Sequence, residues 1–138
     1  MADYTTEMDC VRTFLLKVHT AATTKHFTEI KNISLISDDK RILVLPPEPI
    51  GSDGDDFYWM RFGLLLSEPG EATMTTALNN ILIGIKKFNK RAAITGWVYA
   101  SAPKMCHMKY ANGNAAHEDP ISKRWDRKIS IDVEFSTS

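Results

Sequence analysis

The sequence predicts an α+β fold: one domain over residues 1–138, built as a mainly antiparallel sheet packed with two amphipathic helices. Three observations carry that reading. Ile129-Ser130-Ile131-Asp132-Val133-Glu134-Phe135 alternates apolar and polar without a fault, the pattern of a half-buried strand. Two stretches, Met8 to Ala22 and Met74 to Phe88, repeat apolar residues at steps of three and four, as helices with one buried face do. The order helix, strands, helix, strands, with no internal repeat, suits two helices laid against a sheet.

The first helix is expected over residues 6–22, where Met8, Val11, Leu15, Val18 and Ala22 share a face and Thr5 or Thr6 can serve as N-cap. Phe27 to Leu45 reads as a hairpin: Ile33 and Leu35 alternate, Asp38-Asp39-Lys40 supplies a turn, and Ile42 to Leu45 is too short and too apolar for a surface helix. Pro46-Pro47-Glu48-Pro49 should interrupt ladder pairing, and Gly51 to Asp56 should be a flexible acidic loop. Phe57 to Leu66 carries Tyr58, Met60, Phe62, Leu64 and Leu66 on one face, with Phe57, Trp59 and Leu65 on the other. A strand apolar on both sides is central, helix-covered or part of an interface.

The second helix follows Ser67-Glu68-Pro69-Gly70 and ends where Lys86, Lys87, Lys90 and Arg91 gather, the end at which the helix dipole favours cations. Ile94 to Ala100 and Met105 to Tyr110 are expected as strands. Pro103 to Arg124 is too polar for core and reads as a long hairpin arm, the kind of projecting segment that carries function. The closing strand then ties the C-terminus into the sheet.

Composition is that of an ordinary soluble domain, 43% hydrophobic and 25% charged. The longest apolar runs, Ile42 to Leu45 and Leu64 to Leu66, are far shorter than the ~20 residues of a membrane helix. The acidic start, Met1 to Glu7, lacks the basic and then apolar plan of a secretory signal, so the mature chain is expected to begin here. Cys10 and Cys106 read as reduced, partly buried thiols. Zero net charge hides a division along the chain. Residues 1–71 carry 12 acidic against 7 basic residues, a balance of −5, and residues 72–138 carry 5 against 10, a balance of +5. Unless the two halves interleave in space, such a molecule has an acidic and a basic side and complements a copy of itself head to tail.

The chemistry-bearing residues form no convincing centre. Asp53, Asp55 and Asp56 crowd carboxylates around Gly54, yet the twelfth position of that loop is Leu64 where a calcium loop needs Glu. His107 and His117 with Cys106 lack the spacing and fourth ligand of a zinc site, and His19 and His26 supply no convincing third. Cys106 and His107 are neighbours that a strand would point to opposite faces, so they cannot act as nucleophile and base. No glycine-rich phosphate loop follows a strand. The expectation is a protein that is not an enzyme and holds no metal or cofactor. A small nucleic-acid-binding module is the alternative, since Lys104, Lys109, Lys123, Arg124, Arg127 and Lys128 are interspersed with Trp97, Tyr99, Tyr110 and Trp125. A pI of about 6.9 argues against it.

Taken whole, the amphipathic helix at 6–22, the proline-marked strand region Ile42 to Pro49, the long strand, the second helix, the polar hairpin and the closing strand resemble the tail terminators and related head-to-tail completion (neck) proteins of tailed phages and archaeal tailed viruses. The resemblance covers nearly the whole chain and lies in architecture and segment character. It implies a non-enzymatic virion protein forming a homo-oligomeric ring, typically a hexamer, that joins the tail tube to the head or neck. DNA would pass through the lumen without sequence-specific binding. The implied partners are further copies of the chain, the tail tube and neck or connector proteins, with no membrane. The implied location is the virion tail or neck, and the host cytoplasm before assembly. Asp53, Asp55, Asp56, Trp59, Lys104, Lys109, Tyr110, His117, Lys123 and Arg124 are the residues expected at oligomer or partner contacts.

Overall fold

The last described strand is an interior strand of the sheet. In the computed structural model, which describes residues 4–19, 24–27, 40–53, 56–97, 99, 104–121 and 123–136, β7 (Trp125–Ser136) runs antiparallel to β4 (Phe57–Glu68) on one side. On its other side it is antiparallel to β5 (Lys104–Gly113). The β4–β7 register runs unbroken from Phe57 opposite Ser136 to Glu68 opposite Trp125. Further out, β2 (Lys40–Val44) pairs antiparallel with β4, and β1 (Thr24–Phe27) pairs parallel with β2. The sheet order is β1-β2-β4-β7-β5. Two short strands complete it: β3 (Glu48–Asp53) shares the edge of β4 with β2, and β6 (His117–Glu118) pairs with β7 at Asp126 and Trp125.

Several local expectations are corrected. Both edges of β2 are occupied, by β1 and by β4, so Ile42 and Leu43 have no edge left for a hairpin with Ile33 and Leu35, which lie outside the described residues. The prolines interrupt pairing only briefly. Leu45 still donates its N–H to the Gly63 carbonyl at 2.9 Å, and the ladder resumes at Glu48 opposite Arg61. Pro49 is tolerated because β3 is an edge strand, where a missing N–H costs no ladder bond, and the register slips between Pro49 and Gly51. Gly51 to Asp53, expected as loop, is therefore strand. Ile94 to Trp97 is a turn closed by Trp97 N–H on the Ile94 carbonyl at 3.0 Å, not a strand. Its aromatics are used for packing instead: Trp97 meets Phe14 edge-on at 5.5 Å, and Tyr99 lies 5.5 Å from Phe88.

Both helices lie on one face of the sheet. α1 (Thr5–Val18) starts from Tyr4 without a side-chain cap, since Thr5 is already inside the helix. α2 (Glu71–Asn89) starts at Gly70, where the Thr73 hydroxyl accepts from the Gly70 N–H at 3.2 Å and donates to its carbonyl at 2.9 Å. The helices bury Val11, Phe14, Leu15, Met74, Ala77, Ile81, Ile85 and Phe88 against Met60, Phe62, Leu64 and Leu66 of β4 and Ile129, Ile131, Val133 and Phe135 of β7. They approach closely at Gly84, where a Cβ would stand 2.5 Å from Val18 Cγ1. The helix forgoes about 1 kcal/mol of propensity there in return for that contact.

Two predictions rest on this packing. Ile131 is fully buried at the centre of β7, so Ile131→Asp places an unpaired charge in the core. It should cost roughly 3–5 kcal/mol of the 5–15 or so that a domain of this size holds, read by denaturant titration. A near-normal midpoint would show β7 to be peripheral. Tyr58, on β4 where α1 begins, has its hydroxyl 3.4 Å from the Glu7 carboxylate. Burial first, then the Glu7 charge, push its pKa from 10.0 up to about 12. The unfolded chain therefore loses this proton first as pH rises, and stability falls from about pH 10 to pH 12. Melting temperature against pH should fall more steeply across that window for the wild type than for Tyr58→Phe.

Candidate interaction surface

On the sheet face opposite the helices, the register of β3, β4, β7 and β5 lines up residues far apart in sequence. One row reads Glu48, Arg61, Asp132, Lys109, with charges alternating in sign across four strands. Opposite charges facing each other across a ladder stabilise it, and like charges would not. At the centre Arg61 Nε donates to Asp132 Oδ1 at 2.8 Å and its Nη2 to Oδ2 at 3.1 Å, a fork-on-carboxylate pair. The hydrogen bond to Asp132, then its charge, raise the Arg61 pKa above its ordinary value. The next row reads Gly51, Trp59, Glu134, His107. Trp59 carries the Lys109 ammonium 4.8 Å above its ring centroid and the His107 ring edge-on at 5.9 Å. Beside these rows Gly63 floors a shallow cleft of about 300 Å³, lined by Leu45, Pro46, Glu48, Arg61, Lys128 and Ser130.

A second polar cluster is internal. Glu68, fully buried at the end of β4, has its Oε2 3.6 Å from Nε2 of His19, which closes α1. The other ring nitrogen of His19 is 3.1 Å from Asn80 Nδ2 on α2. The cluster ties both helices to the end of β4. Its third member is an amide rather than a hydroxyl or thiol, so it offers an acid–base pair with no nucleophile attached. The Cys10 thiol is raised above its ordinary pKa by burial and then by Glu7 and Asp9, which disfavours the thiolate. Among the described residues no group of three or more His, Cys, Asp or Glu is placed to hold a metal ion, and no helix is long and apolar enough to cross a membrane.

The residues expected at contacts are dispersed. Trp59 and Lys109 come together on the outer sheet face. Asp53 ends β3, Asp56 is exposed just before β4, and Asp55 lies outside the described residues. Lys104 opens β5, where it is paired with Ser136. Tyr110 belongs to the opposite face, packed against the core. His117 is exposed in β6, and Lys123 is exposed in a turn with φ 63 that its N–H closes onto the Asp119 carbonyl at 2.8 Å. Arg124 is a correction. It is 1% exposed, and its guanidinium donates to the Ser67 hydroxyl at 2.7 Å and the Ser67 carbonyl at 2.9 Å, so it fastens the end of β4 instead of meeting a partner.

The arm expected over 103–124 is corrected in the same way. Lys104 to Gly113 is a strand of the main sheet with Met105 and Met108 buried, and residues 114–124 are what lies beyond it. Glu48, Arg61, His107 and Asp132 were missed as a set. Their polarity is visible in each strand, but only the register brings them together. The carboxylates of Glu48, Asp132 and Glu134 share this face with Lys109 and Arg61, so it is no basic platform for a phosphate backbone.

The two partners of the central pair differ in exposure, 41% for Arg61 and 6% for Asp132. A guanidinium that loses Asp132 can turn to water, whereas the buried carboxylate that loses Arg61 cannot. Arg61→Ala should therefore lower the melting temperature more than Asp132→Asn. Equal losses would show the pair to be a surface pair of little consequence.

No family model matches the chain, and no curated protein matches it in sequence. Solved structures do share its fold. A chain from the virion of a native gene transfer agent particle superposes with a TM-score of 0.55 at 10% sequence identity, over 95% of this chain and 90% of that one. At that identity the likeness establishes a common α+β fold across almost the whole length of both chains.

Proposed function

We propose that this chain is a non-enzymatic structural subunit of a phage-like virion, a tail-terminator or neck ring subunit that joins the tail tube to the head. The observation that carries the reading is the fold shared over 95% of this chain and 90% of the gene transfer agent virion chain. The physical character of the molecule supports it. Its histidine–carboxylate pair is enclosed in the core, and its outer sheet face presents balanced charge suited to protein contact. In this reading about six copies close into a ring by heterologous contacts, with DNA passing through the lumen unread.

The test is reconstitution on terminator-free tail tubes from the same particle, viewed by negative-stain electron microscopy. The expected outcome is a ring at one end of each tube and tubes competent to join heads. Tubes that stay bare at saturating protein would overturn the reading. Weak DNA binding that vanishes with modest salt is expected alongside. A salt-resistant, high-affinity complex with single-stranded DNA would favour the nucleic-acid module instead.

A further inference from the structure

β5 ends the sheet. β7 holds one of its edges, and among the described residues no strand pairs with the other. An open edge ten residues long presents N–H and C=O groups to any strand of another molecule that lies alongside it. At the centre of this edge the end of α2 occupies those groups instead. Asn89 Nδ2 donates to the Met108 carbonyl at 2.7 Å, and the Met108 N–H donates to Asn89 Oδ1 at 2.9 Å. A neighbouring antiparallel strand would exchange the same two bonds with Met108, so the Asn89 amide stands where that strand's peptide groups would stand. Arg91 Nη2 takes the Cys106 carbonyl at 2.8 Å. The register of β5 also shifts on either side of Met108, between Met105 and His107 and between Tyr110 and Asn112, and such bulges bend an edge away from further pairing.

The way α2 ends is a second and independent sign. The Arg91 N–H closes onto the Phe88 carbonyl at 3.1 Å and the Ala92 N–H onto the Lys87 carbonyl at 2.9 Å, a Schellman closure. That closure puts Arg91 in the left-handed region at φ 55, the position that glycine fills without strain. What arginine adds there is its side chain. Nη1 donates to the Phe88 carbonyl at 2.9 Å, the guanidinium lies 4.9 Å over the Phe88 ring centroid, and Nη2 reaches across to β5. Strain accepted at a residue whose side chain spans from the helix end to the strand edge points to a task for that side chain.

We infer that Asn89 and Arg91 seal the β5 edge against the β5 strand of a second copy of this chain, so that copies cannot join by running one sheet into the next through this edge. A second β5 is the occupant kept out because an antiparallel edge meets its own copy across a two-fold axis, each strand offering the other the same groups. Contacts between copies at this end of the sheet are thereby left to side chains. The seal is a property of the isolated chain, and bare tail tubes in the reconstitution above would leave it standing.

The experiment compares the full chain with Asn89→Ala, Arg91→Gly and the double variant, by sedimentation velocity at high salt and by amide hydrogen exchange. High salt screens contacts between exposed charges, so an association driven by charge does not mask one made by strand edges. Arg91→Gly uncovers Cys106 while giving the left-handed position the residue that fits it, so the helix end should stay folded. The wild type should be monomeric with a protected Met108 amide. In dilute Asn89→Ala the Met108 amide should exchange about tenfold faster, while the amides of β7 keep their protection. At higher concentration the double variant should form dimers in which the Met108 amide regains protection, because a neighbouring strand has taken the place of Asn89. Each single variant should dimerise more weakly than the double. Asn89→Asp keeps an acceptor for the Met108 N–H and loses the donor to its carbonyl, and it should fall between Asn89→Ala and the wild type. If the Asn89 pairing served helix packing alone, its loss would lower the melting temperature and leave the molecule monomeric. A folded double variant that is monomeric at every concentration would overturn the seal, as would dimers whose Met108 amide exchanges freely or a wild type that dimerises as strongly as the variants. Should Asn89→Ala fail to fold, monomeric Arg91→Gly and Asn89→Asp would overturn it equally.

Discussion

The insertion of β7 between β4 and β5 is the constraint on which the rest of the structure depends. The two long neighbours share no ladder with each other and meet only through side chains such as Trp59 and Lys109 that reach across β7. They are held through twelve β4–β7 pairs on one side and an antiparallel ladder to β5 on the other. The inward residues of β7, Ile129, Ile131, Val133 and Phe135, are also the floor on which both helices rest. Until residues 125–136 are in place, β4 lacks its main partner and α1 and α2 lack half of their apolar surface. Pairings such as Phe57 with Ser136 close very long loops, so the loss of chain entropy comes before most of the contacts that offset it. A single late strand thus decides whether the whole core exists, which is why a charge at Ile131 is felt everywhere.

The same insertion reshapes the electrostatics. The acidic first half contributes β1 to β4 and the basic second half β5 to β7, so the halves lie side by side in the sheet and meet at the β4–β7 seam, where Arg61 of the acidic half is neutralised by Asp132 of the basic half. The division of charge along the chain is cancelled on the outer sheet face. The lysine-rich end of α2 keeps an excess of cations of its own. Net charge by segment shows the imbalance along the chain, but only the strand pairing shows which charges of the two halves face each other.

Elements with a long, unambiguous period were legible in the sequence. β7 and α2 stand within a few residues of where alternation and helical spacing put them, and the faces of β4 are those read from its apolar residues. Short segments were misread wherever a tertiary contact outweighed a local signal. Pro49 reads as a breaker and is accommodated because β3 is an edge. Trp97 and Tyr99 read as strand aromatics and instead cap Phe14 and Phe88. Arg124 reads as a surface cation because arginine usually is one, and only the opposing Ser67 hydroxyl and carbonyl make its burial affordable. For the interaction surface, Trp59 and Lys109 were identified singly. Their meeting over one ring depends on a register that no local pattern encodes.

The geometry of any assembly built from this chain follows from the rigidity of its sheet and of the two helices packed on it. The β3–β4 hairpin is anchored by pairing to β4, and a groove between α1 and α2 is fixed by their close approach at Gly84. If copies join through heterologous contacts, the angle between successive copies is set by how α1 lies on the sheet and how α2 lies on α1. A heterologous contact closes into a ring only when that angle divides a full turn, and otherwise it grows into a filament. Gly84, buried where the two helices meet and lining the groove between them, therefore acts on that angle. A side chain there would push α1 away from α2 and tilt the groove, whereas a weakened contact would change only how firmly the same ring holds.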